Sequence, residues 1–208
     1  MELETIYQYV INGAKDDAEK GVRELLKEGV LPDTILQESL IPAMDEVGNL
    51  FERQEIFLPE MLIAARAMQA SMDVLKPLLI EGGIEPIGRV VIGTVKGDLH
   101  DIGKNLVSMM LEGAGFEVLD LGVDVPPEKF AEAVEGGAEI MGISAMLTTT
   151  MLAMKDVIEA VENSNLRDQV KIIVGGAPVT QEFASSIGAD GYSSDAGGAV
   201  KAVRQLLG

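Results

Sequence analysis

Five short, largely β-branched apolar runs recur between residues 89 and 193, at 89–95, 117–121, 140–144, 171–174 and 191–193. Each is followed by a stretch of helical periodicity, at 102–114, 127–135, 149–163, 180–187 and 196–207. A helix between successive strands leaves room for parallel crossovers and little else, so the strands form a parallel sheet covered on both faces. The expected fold is α/β, doubly wound and flavodoxin-like, with five parallel strands in the order 2-1-3-4-5. Such a sheet has a switch point between strands 1 and 3, and ligands bind there at the carboxyl ends of the strands.

Residues 1 to about 80 follow a different pattern. Leu3, Ile6, Tyr7 and Val10 repeat at helical spacing, as do Val22, Leu25 and Leu26 before Gly29. Pro32 opens a third helix over 33–48, with Pro42 inside it at a place where a kink is expected. A fourth starts near Leu58-Pro59-Glu60, with Met61, Leu62, Ala65, Met68, Met72 and Leu75 on its buried face. Four helices joined by short loops predict a small antiparallel bundle. Residues 81–89 hold three glycines and a proline and read as a linker. Two domains are expected, 1–84 helical and 85–208 α/β.

The polar and glycine-rich motifs fall where strands end. Lys96-Gly97-Asp98-Leu99-His100-Asp101-Ile102-Gly103 follows strand 1 and carries the only histidine of the chain. Asp98 can accept the proton of one imidazole nitrogen, which leaves the other free to bind a metal or move a proton. Gly97 and Gly103 permit close approach of a bulky ligand. Asp101 reads as a cap for the following helix. Ser144, Met146, Thr148 and Thr150 follow strand 3, and Gly175-Gly176 follows strand 4. Ser144 and Thr148 suit either a helix N-cap or the lining of a crevice. Gly175-Gly176 suits either a tight turn or a backbone against which a flat or extended group lies. The methionines of the N-terminal half suit core filling or an apolar cap.

Composition narrows the chemistry. The 34 acidic against 16 basic residues give a net charge of −18, which argues against nucleic acid and anionic membrane surfaces as partners. With no cysteine and one histidine, thiolate chemistry, iron–sulfur clusters and multi-histidine metal sites within the chain are excluded. A metal needs oxygen ligands beside His100 or arrives inside an organic cofactor. The first residues lack the basic start and apolar core of a signal peptide, and no apolar run approaches the about 18 residues of a membrane span, so a cytoplasmic location is expected. The His100 loop lacks the phosphate-loop pattern, and Asp98 and Asp101 would repel an anion. A phospho-receiver needs an aspartate after strand 3, where Ser144 stands, and no Gly-x-Ser-x-Gly elbow supports Ser–His–Asp hydrolysis.

Taken together, Asp98-x-His100-x-x-Gly103, Ser144-x-Met146 and Gly175-Gly176 resemble the Asp-x-His-x-x-Gly, Ser-x-Leu and Gly-Gly signature of cobalamin-binding domains. The spacing also fits, with the 40 residues 104–143 and the 28 residues 147–174 between the parts. Val47-Gly48-Asn49-Leu50-Phe51-Glu52 and Phe57-Leu58-Pro59-Glu60 are similar to the helical cap that precedes this domain in methionine synthase. The same cap occurs in the corrinoid proteins of methylotrophic methyltransferases. The resemblance covers nearly the whole chain and departs from the signature in Met146 for leucine and Thr150 for serine.

The resemblance implies a helical cap followed by a flavodoxin-like B12-binding domain. Cobalamin would bind base-off with His100 as the lower axial cobalt ligand, and Asp98 and Thr150 would complete a proton relay. Gly97, Leu99, Asp101 and Gly103 would contact the cofactor beside them. Ser144, Met146, Thr148, Gly175 and Gly176 would line the nucleotide tail, with Asp195 and Ala196 at its far end. Phe51, Leu58 and Met61 would cover the upper corrin face, and the Gly82-Gly83 linker would act as a hinge. The implied activity is carriage of a methyl group between cobalt(I) and methylcobalamin forms, without turnover of its own. The implied partners are a substrate-specific methyltransferase, a second methyltransferase with a tetrahydrofolate or thiol acceptor, and a reductive activase. An adenosylcobalamin sensor or the cobalamin subunit of a mutase is the alternative.

Overall fold

The computed structural model describes residues 1–208. The chain divides into two compact units, residues 1–87 with 109–115, and residues 88–108 with 116–208. No helix is long and apolar enough to cross a membrane.

The first unit is built from α1 (Leu3–Ile11), α2 (Lys15–Lys27), α3 (Pro32–Ile35), α4 (Ile41–Glu52) and α5 (Leu58–Glu81). Ile6, Val10, Leu25, Ile35, Leu40, Met44, Met68 and Leu75 are buried, as the helical spacing of apolar residues predicts. The expected third helix is broken by a wide π turn, Leu36–Leu40, between α3 and α4. There the N–H of Ile41 reaches back to the carbonyl of Leu36. Pro42 follows directly and has no N–H to donate, so the wide turn absorbs the gap in the hydrogen-bond ladder. The buried Ser39 spends its hydroxyl on the carbonyl of Leu3 at 2.9 Å.

The second unit is a five-stranded parallel sheet in the order β2-β1-β3-β4-β5, as expected. Its strands are β1 (Arg89–Thr94), β2 (Glu117–Asp120), β3 (Ile140–Ser144), β4 (Lys171–Gly175) and β5 (Gly191–Ser193). The helices are α6 (Ile102–Gly113), which belongs to this unit as far as Ser108, α7 (Pro127–Glu135), α8 (Ala153–Asn163), α9 (Gln181–Ser186) and α10 (Ala196–Leu207). The central strands β1 and β3 are buried almost throughout, which is why they read as continuous apolar runs. On one face Val91, Met141, Ile143, Ile172 and Val174 share a core with Phe130, Val134, Met154, Val157 and Val161.

The register matters for function. Thr94 is opposite Ser144, Ser144 opposite Gly175, and Gly175 opposite Ser193. These four residues form one row at the carboxyl ends of β1, β3, β4 and β5. The loops carrying the sequence motifs all spring from it.

Candidate functional site

After β1 the chain turns at Gly97, which adopts the left-handed conformation (φ +83°) that glycine takes at little cost. The turn folds Asp98 inward until it is 1% exposed. Its two oxygens serve different loops. Oδ1 accepts from the backbone N–H of His100 at 3.0 Å and lies 2.7 Å from His100 Nδ1. Oδ2 accepts from the Thr150 hydroxyl at 2.6 Å and from the Met146 N–H at 2.8 Å. One buried carboxylate thus ties the loop after β1 to the turn after β3.

Burial by itself would raise the Asp98 carboxyl. The hydrogen bonds from Thr150, the Met146 N–H and His100 outweigh it and hold the group well below the usual carboxylate range. An ionised carboxylate only accepts, so Nδ1 of His100 must be the donor. Nε2 then carries the lone pair of the neutral ring. The side chain is 55% exposed, and Nε2 has no protein partner. The buried Thr94 hydroxyl holds the His100 carbonyl at 2.9 Å. The two tied loops and the segments they lead into also carry exposed apolar side chains. Leu99, Ile102, Met146, Leu147 and Leu152 are all exposed, an arrangement a soluble surface does not need.

The other motif residues divide by role. Asp101 accepts from the Asn105 side chain at 3.1 Å, and its carbonyl accepts the Asn105 N–H at 2.8 Å, so it starts α6. No atom lies within 4 Å of a side chain added at Gly103, which leaves that face open. Ser144 ends β3 within the row. Thr148 is exposed on the turn. Neither Ser144 nor Thr148 caps a helix, because α8 begins only at Ala153. A side chain on Gly176 (φ +127°) would meet the Ala145 carbonyl oxygen at 1.9 Å, so the turn after β4 packs directly on the turn after β3. Asp195 caps α10 by accepting from the Gly198 N–H at 2.8 Å, and the buried Ala196 is the first residue of that helix. In the helical unit Phe51 is half-buried on α4, Leu58 is exposed at the start of α5, and Met61 is fully buried.

Several residues here carry no sequence signal. Asp124, on the turn after β2, accepts from the Gly97 N–H at 2.7 Å, and its own N–H donates to the Asp98 carbonyl at 3.0 Å. Lys104 on α6 is buried and ion-paired with Asp120 at the end of β2. Ile102, Leu147 and Leu152 are among the exposed apolar side chains. Long-range contacts of this kind have no local pattern to betray them.

A flat apolar macrocycle that brings its own metal ligands suits this surface. No three His, Asp or Glu side chains stand together as a metal site, and a single imidazole nitrogen is left without a protein partner on loops that carry exposed apolar side chains. One axial ligand is all such a group requires of a protein.

Known proteins point the same way. Residues 88–201 match the family described as B12 binding domain, and residues 2–76 match a second family of the same description. Dimethylamine corrinoid protein 1 of Methanosarcina acetivorans is 47% identical over 195 residues, covering 93% of this chain and 92% of that protein. A cobalamin-binding protein from Desulfitobacterium hafniense superposes with a TM-score of 0.82 at 32% identity over the full length of both chains. The methanol:cobalamin methyltransferase complex of Methanosarcina barkeri holds a chain that superposes with a TM-score of 0.86 at 30% identity, covering 97% of this chain and 78% of that one. The present chain therefore belongs to the corrinoid proteins of methyltransferase systems, built on the B12 binding domain.

Proposed function

We propose that this protein holds a corrinoid base-off over the His100 loop, with Nε2 of His100 as the lower axial ligand, and carries a methyl group between two methyltransferases. The observation that supports this most directly is the Asp98–His100 pair at 2.7 Å, which leaves Nε2 outward on a loop that carries exposed apolar side chains. The corrinoid supplies a cobalt centre that accepts and releases the methyl group.

The chain's own residues do the rest. Asp98 fixes the imidazole tautomer and so leaves the Nε2 lone pair directed outward. A proton taken up at Nε2 occupies the outward lone pair, and Asp98 stabilises the imidazolium that results; loss of that proton restores the donor. Thr150 and the Met146 N–H hold the far side of Asp98, so the carboxylate keeps its charge through this exchange. Ser144 and Gly175 of the row, with Thr148, Gly176, Asp195 and Ala196, would line the channel for the nucleotide tail. The first partner is a substrate-specific methyltransferase, and the dimethylamine relatives favour a methylamine as its substrate. The second transfers the methyl group to a tetrahydrofolate or thiol acceptor, and a reductive activase restores the carrier.

The test is to load the full chain with hydroxocobalamin and reduce it to the cobalt(II) form. Electron paramagnetic resonance should show splitting from one histidine nitrogen, altered by 15N-histidine labelling. In His100→Ala the splitting should vanish while the corrinoid stays bound. A wild-type spectrum without protein nitrogen would sink the ligand assignment. Tight binding of the adenosyl form alone would sink the methyl-carrier reading.

A further inference from the structure

We infer that Asp124 is a positioning residue for His100, and that the segment from Asp120 to Val125 is a backing rail that sets the height of the imidazole. The inference rests on His100 serving as an axial ligand. Asp124 grips the loop twice. Its carboxylate takes the Gly97 N–H at 2.7 Å, and its N–H donates to the carbonyl of Asp98 at 3.0 Å. It therefore holds the peptide units on either side of the turn that buries the Asp98 carboxylate.

Asp124 does this from a left-handed backbone conformation, φ +53°. That conformation is unfavourable for a residue with a side chain and persists where the surroundings over-determine it. The surroundings here do so. The Val125 N–H donates to the Thr94 carbonyl at 3.0 Å, and the Thr94 N–H donates to the Gly122 carbonyl at 3.0 Å. Thr94 is the residue whose hydroxyl holds the His100 carbonyl. Upstream, Asp120 accepts the Gly122 N–H at 2.8 Å through one oxygen and the buried Lys104 ammonium through the other. Lys104 belongs to the first turn of α6. The rail is thus bonded to the strand before the His100 loop, to the loop itself and to the helix after it. A loop fixed at all three places cannot lift or sink without breaking one of these bonds. The position of Nε2 is thus set by residues outside the His100 loop.

Full-length Asp124→Gly, Asp124→Ala and Asp124→Asn separate the carboxylate from the backbone conformation. Glycine adopts the positive φ readily but offers no acceptor, whereas asparagine keeps both the acceptor and a tolerance for that φ. Two readouts go beyond stability. In the cofactor-free protein, 15N resonances of His100 report whether Nδ1 still carries the hydrogen-bonded proton. In the cobalamin-loaded protein, the nitrogen splitting of the cobalt(II) form reports the fraction with His100 bound. Asp124→Gly should weaken cobalamin binding roughly 10-fold and give a mixture of bound and unbound His100, while Asp124→Asn should stay within about 2-fold of wild type. The inference is overturned if Asp124→Gly keeps wild-type affinity and full nitrogen splitting. Absence of splitting in the wild type would instead overturn the ligand assignment. Should Asp124→Ala fail to fold, the glycine and asparagine variants still decide the matter.

Discussion

Nδ1 of His100 lies 2.7 Å from Oδ1 of a carboxylate, Asp98, that is almost wholly removed from solvent while the imidazole is half exposed. The buried member of the pair fixes the orientation, and the exposed member presents the chemistry. Reversing the burial would hide the nitrogen that a ligand must reach. The asymmetry arises because the Gly97 turn points Asp98 inward, where donors from the turn after β3 meet it.

Asp98→Asn should show what the charge contributes. A carboxamide cannot accept on both sides, so one of its edges faces donors with an N–H. The expected cost is about 2 kcal/mol in urea denaturation. His100 should also lose its preference for the Nδ1–H tautomer, visible in 15N spectra, and corrinoid affinity should fall roughly 10-fold or more.

The same carboxylate gives a pH dependence. Its folded-state proton affinity lies below the ordinary value of 3.8, so its contribution to stability is complete above that pH and declines as pH falls below it. Stability measured from pH 6 downward should therefore fall less steeply in Asp98→Asn than in wild type below about pH 4. Parallel curves would refute the linkage.

Thr150→Val should make the acid decline shallower and end it at a higher pH, because Asp98 loses the hydroxyl donor at 2.6 Å that most lowers its proton affinity. Thr150→Ser keeps the hydroxyl and should restore the wild-type curve. The valine variant should be less stable by about 1 kcal/mol, since the Met146 N–H still satisfies Oδ2.

Lys104 and Asp120 should respond unequally to mutation. Lys104 is buried, whereas the Asp120 side chain is 37% exposed and can fall back on water. Asp120→Ala strands a buried ammonium whose remaining partner is Asn105, at an expected cost of about 3 kcal/mol. Lys104→Met fills the space without a charge and should cost less than half of that. Equal losses in thermal denaturation would show that the burial difference is immaterial.

Gly97 and Gly176 both have positive φ but should differ sharply as alanine variants. At Gly97 the nearest atom to a new side chain is the Thr150 methyl at 3.9 Å, so only the backbone penalty of about 1–2 kcal/mol applies. At Gly176 the new carbon would strike the Ala145 carbonyl, a backbone atom that cannot turn aside. A loss above about 3 kcal/mol, or failure to fold, is expected there.

Sequence periodicity located most elements closely, and the exceptions are informative. The expected helix over 149–163 begins only at Ala153, because residues 148–152 stay in a turn with the Thr150 and Met151 N–H groups bonded to the Leu147 carbonyl. That turn carries the Thr150 hydroxyl to Asp98. A helix started at Thr149 would satisfy local propensity and lose the contact. In the third helix the apolar spacing continued across a π turn, since widening a single turn hardly disturbs which residues face the core.

The strand order, the carboxyl-edge placement of the motifs and the pairing of Asp98 with His100 were legible in the sequence alone. They follow from chain-local physics: period, crossover length, and residues two positions apart. Tertiary structure alone decided how the oxygens of Asp98 are shared, that Asp124 grips Gly97 across 27 residues, and that Thr150 reaches Asp98 across 52. A hydrogen bond tolerates errors of only a few tenths of an ångström. Whether two distant segments meet that tolerance depends on the register of the strands that carry them.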